Sequence, residues 1–222
     1  MKYDVFNTNE FEAHQLELGL ISDNAHVLDV GCATGLLARE LLKKKCETWG
    51  IDKDGDSIKL AAKYCNKTFT CDLESCDKLP VPKKYFDYVT FFDVIEHLRN
   101  PEKILSVIKP YVKKGGKVIV STPNIAHASI RWMLLKGVFN YDSTGIMDDT
   151  HVHFYTRESL SQFLKKQGFV VQKIIPTNGM CKVPLIYKIT DRLPTSWQYR
   201  IASLFPTLFS YQFIAVTKIG KQ

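Results

Sequence analysis

An α/β fold built on a parallel sheet is the architecture this chain predicts, and three observations predict it. Short apolar runs alternate with segments whose apolar residues recur at helical spacing. The run from Phe86 to Phe92 is almost continuously apolar or aromatic, as a strand buried on both faces is. A glycine turn, Asp29-Val-Gly-Cys-Ala-Thr-Gly35, follows the first run and opens the first helical segment.

The elements follow in order. His26 to Val30 is a short buried strand, and Gly35 to Lys45 a helix with Leu36, Leu37, Leu41 and Leu42 on one stripe. Glu47 to Asp52 is a second strand, Asp56 to Asn66 a second helix and Thr68 to Cys71 a third strand. Phe86 to Phe92 is the fourth. Asn100-Pro101 opens a helix, since proline suits the first turn, and Gly115-Gly116 is expected to end it. Lys117 to Ser121 is a fifth strand. Thr156 caps a helix through Gln167, with Gly168 just past its end. Phe169 to Ile175 and Tyr211 to Lys218 are the last two strands. In such sheets ligands bind beyond the carboxyl ends of the strands. The loops after strands one to four are therefore where chemistry is expected. Two irregular insertions, Thr122 to Tyr155 and Pro176 to Ser210, are the expected lid and acceptor pocket.

Composition narrows the classes. With 222 residues, 45% hydrophobic and 24% charged, the chain suits a single domain, residues 1–222, with insertions at about 122–155 and 176–210. The net charge of +7 permits an anionic partner without naming one, because no run of five like charges occurs. No stretch is long and apolar enough to cross a membrane. Met1 to Leu20 holds four acidic residues and no apolar leader core. The cysteines, Cys32, Cys46, Cys65, Cys71, Cys76 and Cys181, make no C-x-x-C and no zinc-ribbon spacing. They suit reduced, buried thiols, so a cytoplasmic location is expected.

The glycine turn has the spacing G-x-x-x-G. That is neither the G-x-G-x-x-G of dinucleotide sites nor a P-loop, and no lysine follows to hold a phosphate. A cofactor without a pyrophosphate fits. Asp52, ending strand two, can accept both hydroxyls of a ribose, and Asp72, ending strand three, can reach an adenine amino group.

In these residues the chain resembles the class I S-adenosylmethionine-dependent methyltransferases. Val27-Leu-Asp-Val-Gly-Cys-Ala-Thr-Gly35 is similar to that family's motif I. Gly50-Ile-Asp52, Cys71-Asp-Leu73, the run Phe86 to Leu98 and Gly115 to Asn124 match its later motifs in order. The resemblance covers roughly residues 25 to 175. It implies a Rossmann-like seven-stranded sheet in the order 3-2-1-4-5-7-6, strand seven antiparallel, with helices on both faces. It implies S-adenosyl-L-methionine as cofactor, with Asp29, Gly31, Cys32 and Gly35 around its methionine end. Asp52 and Lys53 lie at the ribose, Asp72 and Leu73 at the adenine, and Phe92 and Asp93 at its inner face. The segments Pro123 to Ser129, Leu135 to Tyr141 and Asp149 to Arg157 resemble bacterial methyltransferases found beside glycosyltransferases. Ubiquinone-pathway and small-RNA 2′-O-methyltransferases share features with it.

Methyl transfer from a sulfonium is an in-line displacement, so the acceptor atom must be aligned with the methyl. A hydroxyl acceptor also needs its proton removed, and histidine suits that near neutral pH. His97, His127, His151 and His153 fall at the expected carboxyl edge, with His97, His153 and His127 the candidate bases. His151 and His153 alternate, so one of the two is expected to face the pocket. His14 and His26 read as structural or surface. Asp93-x-x-Glu96-His97 with His153 would offer oxygen and imidazole ligands suited to Mg²⁺ or Mn²⁺. In the ubiquinone and small-RNA branches a similar acid-x-x-Glu-His is a metal site. Here the first acid is the shorter Asp and many relatives carry Glu-His without metal, so none is expected.

The expected activity is O-methylation of a small molecule or cell-envelope glycan. A quinone precursor or an RNA 2′-hydroxyl is the alternative within the class, and an NAD-dependent oxidoreductase outside it. Nucleic acid is not an expected partner, because no arginine-aromatic surface is recognisable. Aromatic and basic residues in the insertions suit a phosphate-linked glycan: Arg131, Trp132, Phe139 and Tyr141 in one, Tyr187, Arg192, Trp197, Tyr199 and Arg200 in the other. Leu204-Phe205 and Leu208-Phe209 suit peripheral contact with a membrane surface.

Overall fold

The computed structural model describes residues 9–179, 190 and 192–220. Seven strands form one sheet in the order β3-β2-β1-β4-β5-β7-β6. They are β1 (His26–Val30), β2 (Glu47–Asp52), β3 (Lys67–Thr70), β4 (Phe86–Phe92), β5 (Val112–Pro123), β6 (Phe169–Pro176) and β7 (Gln212–Ile219). The first five run parallel, while β7 is antiparallel to both β5 and β6. This is the expected order.

Strand periodicity divides the core between two faces. Leu28 and Val30 of β1, Val118 and Val120 of β5, and Phe213 and Ala215 of β7 point to one face. There they meet α4 (Pro101–Ile108) through Ile104, Leu105 and Ile108, and α6 (Arg157–Lys166) through Leu160 and Leu164. The intervening Val27, Ile119 and Ile214 point to the other face, against Leu37 and Leu41 of α2 (Leu36–Lys43) and Ile21 at the end of α1 (Ala13–Leu20). Leu41 is fully buried, which contributes about 1.5–3 kcal/mol for a side chain of this size.

Helix α3 (Gly55–Ala61) is capped by Asp54, whose Oδ2 accepts the Ser57 N–H at 3.0 Å, and it stops short of the expected Asn66. Thr156 caps α6 as expected, its Oγ1 accepting the Ser159 N–H. The glycine pair corrects one expectation. Gly115-Gly116 lies inside β5 and does not end a helix; α4 stops at Ile108 and a tight turn at Lys109–Tyr111 follows. The pairing register with β4 shifts between Phe86 and Tyr88, and Gly115 has φ +83°. The pair is a glycine bulge at the start of a strand. The insertions are partly helical: α5 (Ala128–Leu135) in the first, α7 (Thr195–Leu204) and α8 (Pro206–Phe209) in the second. Met180, Cys181 and Tyr187 lie outside the described residues.

Candidate active site

The carboxyl ends of β1 and β4 open on a cavity of about 460 Å³. Its floor is the glycine turn. Gly31 has φ +79°, and a Cβ there would lie 2.5 Å from Cγ2 of Val94. A side chain at this point is sterically barred, which keeps the turn closed down on the β4 loop. Gly35, also left-handed, packs on Ala61 of α3. Asp29 is buried and accepts the Thr90 hydroxyl at 2.7 Å; burial pushes its carboxyl up to about 6. Cys32, Phe92 and Asp93 complete this side of the cavity.

Asp52 stands outside the enclosed part, at the rim. Its Oδ2 accepts the Ala33 N–H and its Oδ1 the Asp54 N–H, each at 2.9 Å. Both oxygens are thereby fixed in orientation, and each keeps a lone pair for a ribose hydroxyl. Asp72 is exposed, its Oδ1 accepting the Glu74 N–H at 3.0 Å, while Leu73 beside it is buried. Lys53 is exposed next to Asp52. The glycine floor and the buried Asp29 line the cavity, and Asp52 stands beside it through its bond to the lining residue Ala33.

The opposite wall holds the histidines, and here several expectations change. His97 lies in a 3-10 turn after β4 and lines the cavity. Thr150 holds it through its carbonyl, 3.3 Å from Nδ1, and its Oγ1, 3.0 Å away. The Thr150 hydroxyl donates to Oδ1 of the buried Asp148 at 2.6 Å. A carbonyl can only accept, so Nδ1 carries the proton and Nε2 is left basic. Burial, then the neighbouring His151, holds His97 below its ordinary range.

Of the alternating pair it is His151, not His153, that lines the cavity. His151 Nδ1 contacts the Ile146 carbonyl at 3.1 Å, and the two rings meet edge to face at 4.7 Å. His153 turns the other way, its Nε2 3.3 Å from the Arg99 carbonyl. His127 is fully buried and caps α5: its Nδ1 accepts the Ser129 N–H, and its Nε2 lies 3.2 Å from the Gly179 carbonyl. Neither lines the cavity. The ligand atoms of Glu96, His97 and His151 lie within 4.8 Å of one another, so His151 replaces His153 in the cluster that could hold a cation.

Helix α1 forms a third wall that the sequence reading did not contain. Ala13, His14 and Glu17 all face the cavity, so His14 is a site residue and not a surface one. Burial lowers the His14 pKa while the Asp93 charge raises it. Asp93 itself is tied to the sheet by Ser121 and by Gln212, whose Nε2 donates to Oδ2 at 2.7 Å. Its φ of +54° turns the backbone sharply at the end of β4. Among the described residues, the expected aromatic and basic acceptor residues do not line the cavity. Arg131, Phe139, Tyr141, Arg192, Trp197 and Arg200 are exposed, Trp132 is half-buried, and Tyr199 stacks on Phe11 at 4.5 Å.

A family model described as a methyltransferase domain matches residues 7–174. The chain is a member of this methyltransferase family. It is 27% identical over 185 residues to a ubiquinone biosynthesis O-methyltransferase of Coxiella burnetii, covering 80% of this chain and 76% of the relative. Its fold matches a SAM-dependent methyltransferase from Archaeoglobus fulgidus with TM-score 0.61 at 20% identity, covering 93% of this chain and 94% of that one. A second, from Aquifex aeolicus, matches with TM-score 0.63 at 14% identity over 97% and 94%. The protein is therefore a methyltransferase with S-adenosylmethionine as its cofactor. Among the described residues, no helix of this methyltransferase is long and apolar enough to cross a membrane.

Proposed function

We propose that this methyltransferase transfers the methyl group to a hydroxyl of a small molecule or glycan unit, with His97 as the base. The observation that carries the reading is the cavity itself. It joins the glycine turn, Asp29 and Phe92 on one side to His97 on the other, with Nδ1 of His97 committed to Thr150.

The cofactor supplies an electrophilic methyl on a sulfonium. Asp52 holds the ribose hydroxyls, and Asp29 and the glycine turn enclose the amino-acid end. As the acceptor oxygen forms its bond to the methyl carbon, the carbon–sulfur bond breaks and the hydroxyl proton passes to Nε2 of His97. The Thr150 oxygens hold the resulting imidazolium through Nδ1–H, and the Asp148 carboxylate behind them favours its charge. Helix α1 and the loop at Thr144-Gly145 line the same cavity.

The curated relative of Coxiella burnetii carries O-methyltransferase in its name, which supports oxygen as the acceptor atom. Lysine and arginine are absent from the described lining residues, so the reaction centre offers a phosphate no cation. The glycan, if one is used, presents a phosphate-free unit there. Leu204 and Phe205, 75% and 55% exposed, form the surface proposed for a membrane-borne acceptor, whereas Leu208 and Phe209 are half-buried. The test is to supply methyl-labelled cofactor with hydroxylated acceptors and follow S-adenosylhomocysteine release. Label on nitrogen or carbon alone would refute the oxygen assignment.

A second reading keeps the same cavity and adds a divalent cation on Glu96, His97 and His151. Their spacing favours it, as does the Nδ1 contact of each imidazole with a carbonyl, a usual outer-shell arrangement for histidine ligands. Dependence of activity on chelation separates the two readings.

A further inference from the structure

Three carboxyl groups, those of Glu17, Asp29 and Asp93, line the same end of the cavity, and no lysine or arginine lines it among the described residues. Two of them have hydrogen-bond partners that account for them: Asp29 takes the Thr90 hydroxyl, and Asp93 takes Ser121 and Gln212. Glu17 differs. It comes from α1, ahead of the sheet and outside the segments that resemble methyltransferase motifs. Ile21, at the end of that helix, and Leu16 within it pack beside Leu37 and Leu41 of α2. The Glu17 side chain is 2% exposed and lines the cavity, yet its Oε1 meets no hydrogen-bond donor among the described residues. Its carboxyl group interacts with Asp93, Ser121 and Asp29, at the carboxyl ends of β4, β5 and β1.

A buried acceptor without a donor is costly unless a ligand supplies one. The methyl donor carries N–H or O–H groups at three places. Its ribose hydroxyls are assigned to Asp52 and its adenine amino group to Asp72, neither of which lines this cavity. The sulfonium and the carboxylate have no N–H or O–H to give. The amino-acid ammonium remains, with three N–H donors, a positive charge and no acceptor. Asp29 and the glycine turn bring that end of the donor to the strand ends that Glu17 faces.

We propose that Glu17 of α1 binds the amino-acid ammonium of the methyl donor, Oε1 accepting one of its N–H groups beside Asp29 and Asp93. The proposal rests on the placement of the donor in this cavity and holds whichever acceptor atom is methylated. Electrostatics in the empty site agree with it. Burial, then the charge of Asp93, pushes Glu17 well above the usual carboxylate range. A cation bound among these acids reverses that push and keeps Glu17 ionised. Glu96 stands apart, because it groups with His97 and His151 on the wall assigned to the acceptor. Helix α1 is then part of the cofactor site, and a nucleoside without the amine forfeits the contact.

The test pairs one substitution with three ligands, each titrated by calorimetry into the full chain. S-adenosylhomocysteine lacks the sulfonium charge and so isolates the ammonium. Its desamino analogue, adenosylthiobutanoate, keeps only the carboxylate, and its decarboxylated analogue, aminopropylthioadenosine, keeps only the amine. Glu17→Gln, of nearly equal volume, is expected to weaken S-adenosylhomocysteine and the decarboxylated analogue at least about tenfold, the scale of one charge-assisted hydrogen bond. The desamino analogue is expected to change less than about threefold. This cycle separates contact from structural support, because a substitution that merely loosened α1 would weaken all three alike. Equal weakening of the three overturns the proposal, as does unchanged binding of S-adenosylhomocysteine. So does a desamino analogue that binds the unmodified chain as tightly as S-adenosylhomocysteine. If Glu17→Gln does not fold, Glu17→Asp draws the carboxylate back by one methylene and is read by the same selective loss for the two amine-bearing ligands. Failure of S-adenosylhomocysteine to bind the unmodified chain would overturn the placement of the donor and this proposal with it, and is read before any variant is titrated.

Discussion

Oγ1 of Thr150 lies 3.0 Å from Nδ1 of His97, joining a residue of the first insertion to the turn after β4. The contact crosses from one wall element to another and fixes which imidazole nitrogen is basic. His97→Ala is expected to lower kcat by about 10²–10⁴, the usual worth of a positioned base, with cofactor affinity retained. Thr150→Val keeps the carbonyl and loses the hydroxyl, and is expected to lower kcat about 3- to 10-fold with little change in KM. Because burial holds His97 below its ordinary 6.5, the acid limb of the pH–rate profile is expected to fall below that value. A limb at or above 6.5 would assign the base elsewhere.

Asp52 is the residue on which cofactor affinity should turn. Its two oxygens are aligned by backbone N–H groups at 2.9 Å and need no reorganisation to accept hydroxyls. Asp52→Ala is expected to weaken S-adenosylmethionine binding at least about tenfold in a calorimetric titration, from about 1.5–3 kcal/mol for each charged hydrogen bond lost. Unchanged affinity would put the ribose in another place.

Activity is expected to survive exhaustive chelation. Loss of turnover in chelator, restored by Mg²⁺ or Mn²⁺, would transfer His97 from base to ligand alongside Glu96 and His151.

Asp29 gives the empty protein a distinctive pH dependence. Its folded-state pKa of about 6 stands above the ordinary 3.8, so the folded state retains a proton that the unfolded chain releases. The associated stability is present below 3.8 and is lost as pH rises through about 6, by at most about 3 kcal/mol. Asp29→Asn lacks this loss. The melting temperature of the variant relative to the parent is therefore expected to rise between pH 4 and pH 7, and a constant difference would show that Asp29 is not buried as a charge.

Much of this architecture was legible in the residues because burial on two faces leaves an unmistakable trace. β4 reads Phe-Asp-Tyr-Val-Thr-Phe-Phe, and few other structures tolerate such a run. Asp52 was legible from its place at a strand end, 21 residues beyond Gly31. The α1 wall was not, because Glu17 occupies a buried position where the helical pattern calls for an apolar residue, and an acid there blurs the stripe. The choice between His151 and His153 depends on which face of an extended segment meets Glu96, whose carbonyl accepts the N–H of both Val152 and His153. Periodicity supplies the alternation and not its phase. His127 stood at the right edge of the sheet but is used as a helix cap, a role ordinarily filled by smaller polar residues. Gly115-Gly116 shows the converse error, since a glycine pair marks a strand bulge as readily as a helix end.

Gln212 belongs to the seventh strand in sequence, yet that strand lies between β5 and β6 and not at an edge. A ribosome delivering this chain releases six strands before the one that fills the gap. Until then β5 has no partner on its outer side, and Asp93 lacks the amide that steadies it. The reaction centre is thus completed by almost the last residues of the sheet to emerge, so a prematurely terminated product acquires neither a closed sheet nor a working site.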